Sequence, residues 1–381
     1  MARAGEEFRL SLRELSGALG DLGTLLPLML GAIAVGGLAP TPVLLGFALF
    51  YLATALYYRL PVPVQPMKAV AAVLLTAEIG PSGVAAAGVM LGAILLVLGL
   101  TGWIARVARL VPQSILAGLQ LGLGLALASV SVGLMAAAPV VAIVTLGILL
   151  ALLAAPRLPA ALVALAAGIA LAQVVGAPGT DLGGMAEAAL AIPALPSAAE
   201  LESAVSLLVL PQLSLTLFNA VVLTALVAGD YFGERAAHVT PGRLAVSSGL
   251  ANLLLAPLGA LPMCHGAGGL AAHHRFGARS GTAPLILGLA LLAVALLPGN
   301  LGLALLAAIP AAALGALLLV ASGELALTRR LFDAKPSCWP VIAATAGVTV
   351  WLDPFWGLVA GTGAEILRVA ALRILRRDAG A

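Results

Sequence analysis

The chain has 381 residues, of which 62% are hydrophobic and 9% charged, with a net charge of +3 and a mean hydropathy of +1.14. A water-soluble domain needs far more polar surface, so this composition excludes one and describes an integral membrane protein. The apolar runs are long and rich in Leu, Ala and Gly, unlike the short alternating segments of a membrane barrel, which leaves spanning helices.

Residues 1–14 are charged and the first apolar run outlasts the core of a cleavable signal, so the first helix is expected to stay in the membrane. Punctuation by Pro, Gly and charge clusters predicts about fourteen segments, near 15–36, 41–58, 61–78, 82–101, 110–135, 139–155, 158–176, 205–229, 243–259, 261–275, 282–297, 301–323, 338–351 and 354–372. With a cytoplasmic N-terminus, the inner loops hold Arg59, Arg106, Arg109, Arg157, Arg235, Arg243, Arg275, Arg279, Arg329, Arg330 and Lys335, and every outer loop is free of Lys and Arg. The longest outer connection, 177–204, carries only acids: Asp181, Glu187, Glu200 and Glu202.

In the first segment Gly17, Gly20 and Gly23 surround Asp21, weakening the helix and admitting a ligand close to the backbone; tight helix packing is the competing explanation. A membrane carboxylate needs a purpose, and Asp21 is read either as the partner of Lys68 or as a proton carrier. The third segment opens with Pro61-Val-Pro-Val-Gln65-Pro66-Met67-Lys68-Ala69, proline-rich extended chain ahead of a short helix. Lys68 is the one basic residue expected at membrane depth, where a lysine costs a few kcal/mol unless it is paired or faces water. Its two readings are a structural ion pair and a cation beside an anion site.

The eighth segment places Gln212, Ser214, Thr216 and Asn219 in an apolar stretch, either as donors to an oxyanion or as interhelical glue. The tenth opens with Leu261-Pro-Met-Cys264-His265-Gly266-Ala267-Gly-Gly269, a second broken segment with a glycine-rich helix start suited to oxyanions. His265 is a candidate substrate donor or titrating group, and equally a packing residue. His273, His274, Arg275, Arg279, Asp230, Glu234, Glu324 and Glu365 mark inner helix ends and are left outside the site.

The two broken segments repeat one another at an offset near 195 residues, as do the segments around Asp21 and Gln212. Seven spans per copy makes the second copy inverted, so two half-helices, segments 3 and 10, face each other across a pocket near the membrane midplane. The predicted fold is therefore all-α, with about fourteen spans in a seven-plus-seven inverted repeat: 1–176, an outer connection 177–204, and 205–381. The expected site comprises Gly20, Asp21, Gln65, Pro66, Met67, Lys68, Ala69, Gln212, Thr216, Cys264, His265, Gly266 and Ala267, with Asp21 and His265 as coupling candidates. Cys264 and Cys338 lack metal-ligand spacing, no phosphate-binding loop is present, and no catalytic constellation is evident, so no metal, cofactor or enzymatic role is expected.

Gly20-Asp-Leu-Gly-Thr-Leu-Leu-Pro27, the blocks 61–69 and 210–220, and Pro262 through Gly281 together resemble the signature blocks of the molybdate transporter family related to the sulfate permeases. The resemblance implies a core domain (15–101 and 205–297), a gate domain (110–176 and 301–372), and secondary uptake of molybdate by alternating access. Tungstate or sulfate, equally tetrahedral dianions, are chemical alternatives; a nucleobase permease and a passive anion channel are further ones. Membrane lipid and a second copy of the chain are the other expected partners, and nucleic acid is not. The expected location is a bacterial-type inner membrane, with both termini cytoplasmic.

Overall fold

The computed structural model describes residues 8–104, 106, 112–153, 160–177, 179, 192–297 and 301–378. Arg109, Arg157, Asp181 and Glu187, and the side chain of Asn219, lie outside the described residues. The described chain is almost wholly helical: α1 Leu12–Leu19, α2 Leu22–Ala34, α3 Pro40–Tyr58, α4 Lys68–Leu74, α5 Pro81–Thr101, α6 Gln113–Ala136, α7 Pro139–Leu153 and α8 Ala160–Val175 form the first half. The second half has α9 Ala198–Ala236, α10 Pro241–Leu255, α11 Ala267–Arg275, α12 Thr282–Ala295, α13 Leu301–Ala307, α14 Ala311–Ala326, α15 Arg329–Phe332, α16 Trp339–Trp351 and α17 Pro354–Asp378. Among the described residues five helices are long and apolar enough to cross a membrane, or six if the bent first pair counts as one span; four more are apolar but shorter.

The boundaries follow local chemistry. Proline opens α3, α5 and α10, where a missing N–H costs nothing, and Gly102 closes α5 in a left-handed turn at φ 71°. Ser197 and Glu200 make a reciprocal cap at the start of α9. The first segment bends by 45° at Gly20–Asp21, where its glycines were expected to weaken it. Two elements depart from expectation. The single segment expected over 301–323 is two helices, because Pro310 cannot continue the first and caps the second. The eighth segment is longer than 205–229, and it contains two π-helical stretches, Ala204–Val209 and Thr216–Leu223, on either side of Gln212.

Packing exchanges partners between the halves: α3 lies against α12, and α10 against α5. Small residues permit this approach. A Cβ on Gly92 of α5 would stand 2.9 Å from the Gly249 carbonyl of α10, and one on Gly249 would stand 2.7 Å from the Leu96 nitrogen.

At the centre, two two-residue strands, β1 (Gln65–Pro66) and β2 (Met263–Cys264), pair antiparallel, with Gln65 opposite Cys264 and Pro66 opposite Met263. The Met67 amide extends the pairing, donating to the Pro262 carbonyl at 2.9 Å. The prolines at 61, 63, 66 and 262 hold this chain extended and remove N–H groups that could start a helix early. Asn252 of α10 seals β2 from the side: its Oδ1 accepts from the Met263 N–H at 2.8 Å, and its Nδ2 donates to the Met263 carbonyl at 2.6 Å. From this crossing α4 runs toward the end of α2, where Leu75 meets Gly31, while α11 runs toward α1, where Ala278 meets Gly17.

Candidate functional site

Beside the strand crossing lies a cavity of about 310 Å³. Nine of the thirteen sequence-predicted residues line it: Gln65, Pro66, Lys68, Gln212, Thr216, Cys264, His265, Gly266 and Ala267. The other four sit behind the wall. Met67 is locked in the strand crossing, Ala69 is buried under Gln212, Gly20 packs on the Phe276 ring, and Asp21 is 1% exposed behind Gln65.

The start of the short helix α4 is held by Gln212. Its Oε1 accepts from the Ala69 N–H at 2.8 Å and the Val70 N–H at 3.3 Å, while its Nε2 donates to Thr216 Oγ1 at 2.7 Å. The amide, read from sequence either as a substrate donor or as interhelical glue, thus caps the first turn of α4, satisfying N–H groups that helices leave orphaned. The flanking π-helical stretches set the register of α9 that brings both Gln212 and Thr216 to this point.

The expected contact of Asp21 with Lys68 is absent. Asp21 Oδ1 instead accepts from Gln65 Nε2 at 2.6 Å, and Asp21 Oδ2 is buried with no hydrogen-bond partner. Lys68, half-buried on the cavity wall, makes no hydrogen bond or ion pair among the described residues, and its charge acts on Asp21 only through space. A polar group at membrane depth is pulled toward whichever partner reaches it first, and the carboxamide of Gln65 is closer. Glycine is required opposite this pair: a Cβ on Gly269 would stand 2.7 Å from both Asp21 Oδ2 and Gln65 Nε2, and one on Gly266 would collide with Gln65 Oε1.

The imidazole of His265 is taken up by partners within the protein. Its Nε2 is 2.8 Å from Ser247 Oγ and its Nδ1 is 2.8 Å from the Pro63 carbonyl, so both ring nitrogens are engaged within the protein. Tyr58 continues the chain, with its hydroxyl 2.9 Å from Ser247 Oγ and its ring edge-on to the imidazole. The histidine therefore straps β2 to Pro63 and α10.

Sequence reading missed the far wall. Gln120 of α6, Glu324 of α14, and Thr328, Arg329 and Arg330 beyond it all line the cavity, although Glu324 had been assigned to an inner helix end and the two arginines to an inner loop. Arg330 donates to Gln120 Oε1 at 3.2 Å, and burial pushes its guanidinium down to about 10, which leaves it charged at neutral pH. Glu324 Oε2 accepts from Thr24 Oγ1 at 3.2 Å. The one visible signal was Gln120, a lone amide in the apolar run 115–127.

Three comparisons bear on what such a cavity serves. The family described as molybdate transporters of the MFS superfamily matches residues 13–127 and 204–325. Molybdate transporter 2 of Arabidopsis thaliana is 30% identical over 387 residues, covering 87% of this chain and 82% of its own length. The chain belongs to the molybdate transporter family. Each matched stretch of this family member holds one of the two short helices, α4 or α11, and the strand before it. In fold, the family member is similar to the transmembrane domain of a cyanobacterium bicarbonate transporter, BicA, with TM-score 0.69 and 18% identity over 92% of this chain and 96% of that one. The murine anion transporter Slc26a9 in its inward-facing state gives TM-score 0.70 and 14% identity over 96% of this chain and 70% of that one. A transporter rather than an enzyme is what these relatives are.

Proposed function

We propose that this chain moves molybdate across a membrane as a secondary transporter working by alternating access, with the anion held in the cavity beside the strand crossing. The observation that carries the reading is that one cavity, in a member of the molybdate transporter family, collects Gln65 and Lys68 of the first broken segment, residues 264–268 of the second, and Gln212 and Thr216. Lys68 supplies charge; hydroxyl and amide groups supply directional hydrogen bonds.

The seven-plus-seven inverted repeat with its core and gate domains belongs to the same proposal. It is supported by the exchanged pairing of α3 with α12 and α5 with α10, and by the register of the crossing: a twofold relating Pro66 to Pro262 interchanges the Pro66–Met263 and Met67–Pro262 contacts. The arginines at the cavity wall belong to the expected inner side, which favours an inward-open state with cytoplasmic termini in a bacterial-type inner membrane.

Bringing a dianion in against 100 mV, negative inside, costs about 4.6 kcal/mol, so accumulation needs a coupled cation. Asp21 is the group placed to carry a proton, being buried, bonded to cavity-lining Gln65, and half unsatisfied. Labelled molybdate uptake into proteoliposomes, in imposed proton and sodium gradients with sulfate, tungstate and uracil as competitors, tests the whole. Displacement by uracil alone would overturn it. Asp21→Asn should keep molybdate exchange while losing accumulation driven by an inward proton gradient; a mutant that still accumulates as the parent does removes Asp21 from the coupling.

A further inference from the structure

A second cavity, of about 760 Å³, lies between α3, α5 and α10. Leu49 and Phe50 of α3, Leu100 of α5, and Leu250, Leu254 and Leu255 of α10 give it an apolar lining. Leu49, Leu100, Leu250 and Leu254 are all more than 40% exposed, so the cavity is a groove on the surface that a membrane-spanning chain turns to lipid. Tyr58, fully buried, and Ser247 line it as well; their hydroxyls are 2.9 Å apart and Ser247 goes on to His265, so this hydrogen-bonding capacity is spent inside the protein.

One end of the groove is different. There α3 finishes and α10 starts, bringing Tyr57, Thr240 and Arg243 into the lining. Arg243 is the one charged residue of that lining, which holds no Asp or Glu. Its guanidinium gives a single hydrogen bond, from Nη1 to the His238 carbonyl at 3.3 Å, and makes no ion pair among the described residues. Tyr57, 53% exposed, carries the kind of amphipathic ring that settles at a membrane–water interface. From Arg243 to Leu254 the helix α10 rises about 17 Å at its usual pitch. One leaflet of a hydrocarbon core measures about 15 Å, so the groove runs from the interface to about the midplane.

We propose that this groove binds one anionic phospholipid of the leaflet on that side, with an acyl chain laid along Leu250 and Leu254 and the phosphate on Arg243. A guanidinium suits a phosphate, because its parallel N–H groups match paired oxygens. A free phosphate would leave the aliphatic lining uncovered, and a zwitterionic lipid would bring its own cation beside the arginine. The site stands apart from the anion cavity and does not depend on what that cavity carries.

Native mass spectrometry of the purified full chain, titrated with phosphatidylglycerol, with phosphatidylcholine of the same acyl chains and with glycerol phosphate, tests this. The parent protein should hold phosphatidylglycerol in preference to phosphatidylcholine and should hold no glycerol phosphate. Arg243→Gln should weaken phosphatidylglycerol about fivefold, the worth of one basic residue beside an anionic lipid at about 1 kcal/mol, and leave phosphatidylcholine unchanged. Arg243→Lys, which keeps the charge, should retain most of the preference. Ala53→Trp, at an exposed lining position of α3, should fill the groove and expel the preferred lipid; Leu254→Trp does the same from α10 and keeps the test open if the first variant fails to fold. Equal retention of the two lipids by the parent, retention of glycerol phosphate, a preference that survives Arg243→Gln, or a lipid still held in both tryptophan variants would overturn the proposal. A dimeric parent that Ala53→Trp converts to monomers would overturn it too, by giving the groove to a second copy of the chain. None of these readouts measures molybdate, so the transport reading stands or falls separately.

Discussion

The short helices α4 and α11 begin at one strand crossing and are built in opposite ways. The first is crowded: it carries a cation at Lys68, and its Ala69 and Val70 amides are already occupied by Gln212. The second is bare, with glycine at 266, 268 and 269 and a histidine turned away to Ser247 and Pro63. Sequence symmetry therefore does not extend to chemistry. One short helix offers charge and the other offers room, so on the proposed reading the anion meets a polarised site rather than two equal halves.

The harshest way to break that comparison is Lys68→Ala, which removes the charge from the crowded side. Molybdate affinity measured calorimetrically should fall about a hundredfold, roughly 3 kcal/mol, with insertion and folding intact. Unchanged affinity would reduce Lys68 to a structural cation.

On the bare side the corresponding lesion is steric. Gly269→Val puts atoms where Asp21 Oδ2 and Gln65 Nε2 already stand, and should destabilise the protein by about 2 kcal/mol, the range of an overpacked site. Gly268→Ala, which faces open space, should leave the melting temperature nearly unaltered, and equal losses from the two would dissolve the argument for clearance.

Gln212→Ala sharpens the contrast more gently. Losing the cap on α4 should cost about 1 kcal/mol in thermal stability, the usual worth of a capping side chain, and weaken molybdate binding without abolishing it. The smallest effect is one of pH. Glu200, tied by Ser82 of α5 and by Ser197, is held below the usual glutamate range, the Ser82 hydroxyl being the larger cause. A carboxylate lowered on folding stabilises at neutral pH, and this contribution is lost as the pH falls below 4.5 and through its folded value. Since Glu200 anchors the helix that carries Gln212, melting curves of the parent and Glu200→Gln should differ slightly at neutral pH and converge in acid.

Much of this was legible because membrane sequences punctuate themselves. Prolines cannot donate or continue a helix, so Pro61–Pro66 and Pro262 announced both breaks, and Lys68 stood out by its cost at that depth. Nine of the thirteen predicted residues share one cavity for that reason. What escaped was direction. Residue type does not say whether Gln212 faces a ligand or a neighbouring helix start, nor whether an imidazole turns inward, because those choices depend on partners far along the chain: Gln212 on Ala69, His265 on Ser247 and Pro63. The π-helical stretches of α9 were equally silent, since one extra residue per turn leaves no mark on composition. Arg330 was not singled out because a basic residue near a predicted helix end satisfies the charge rule for loops whether it meets solvent or a cavity.

The strand crossing is made of peptide groups, and substitution rarely reaches those. A random library over this gene would scatter changes across side chains while the Met67 amide went on meeting the Pro262 carbonyl, with Asn252 and the prolines as the few positions able to disturb the frame. Residues 65, 68, 120, 212 and 330 can then vary one at a time against a fixed pivot. Such a site is cheap to retune: a descendant of this chain could acquire a different anion without having to reinvent how its two halves meet.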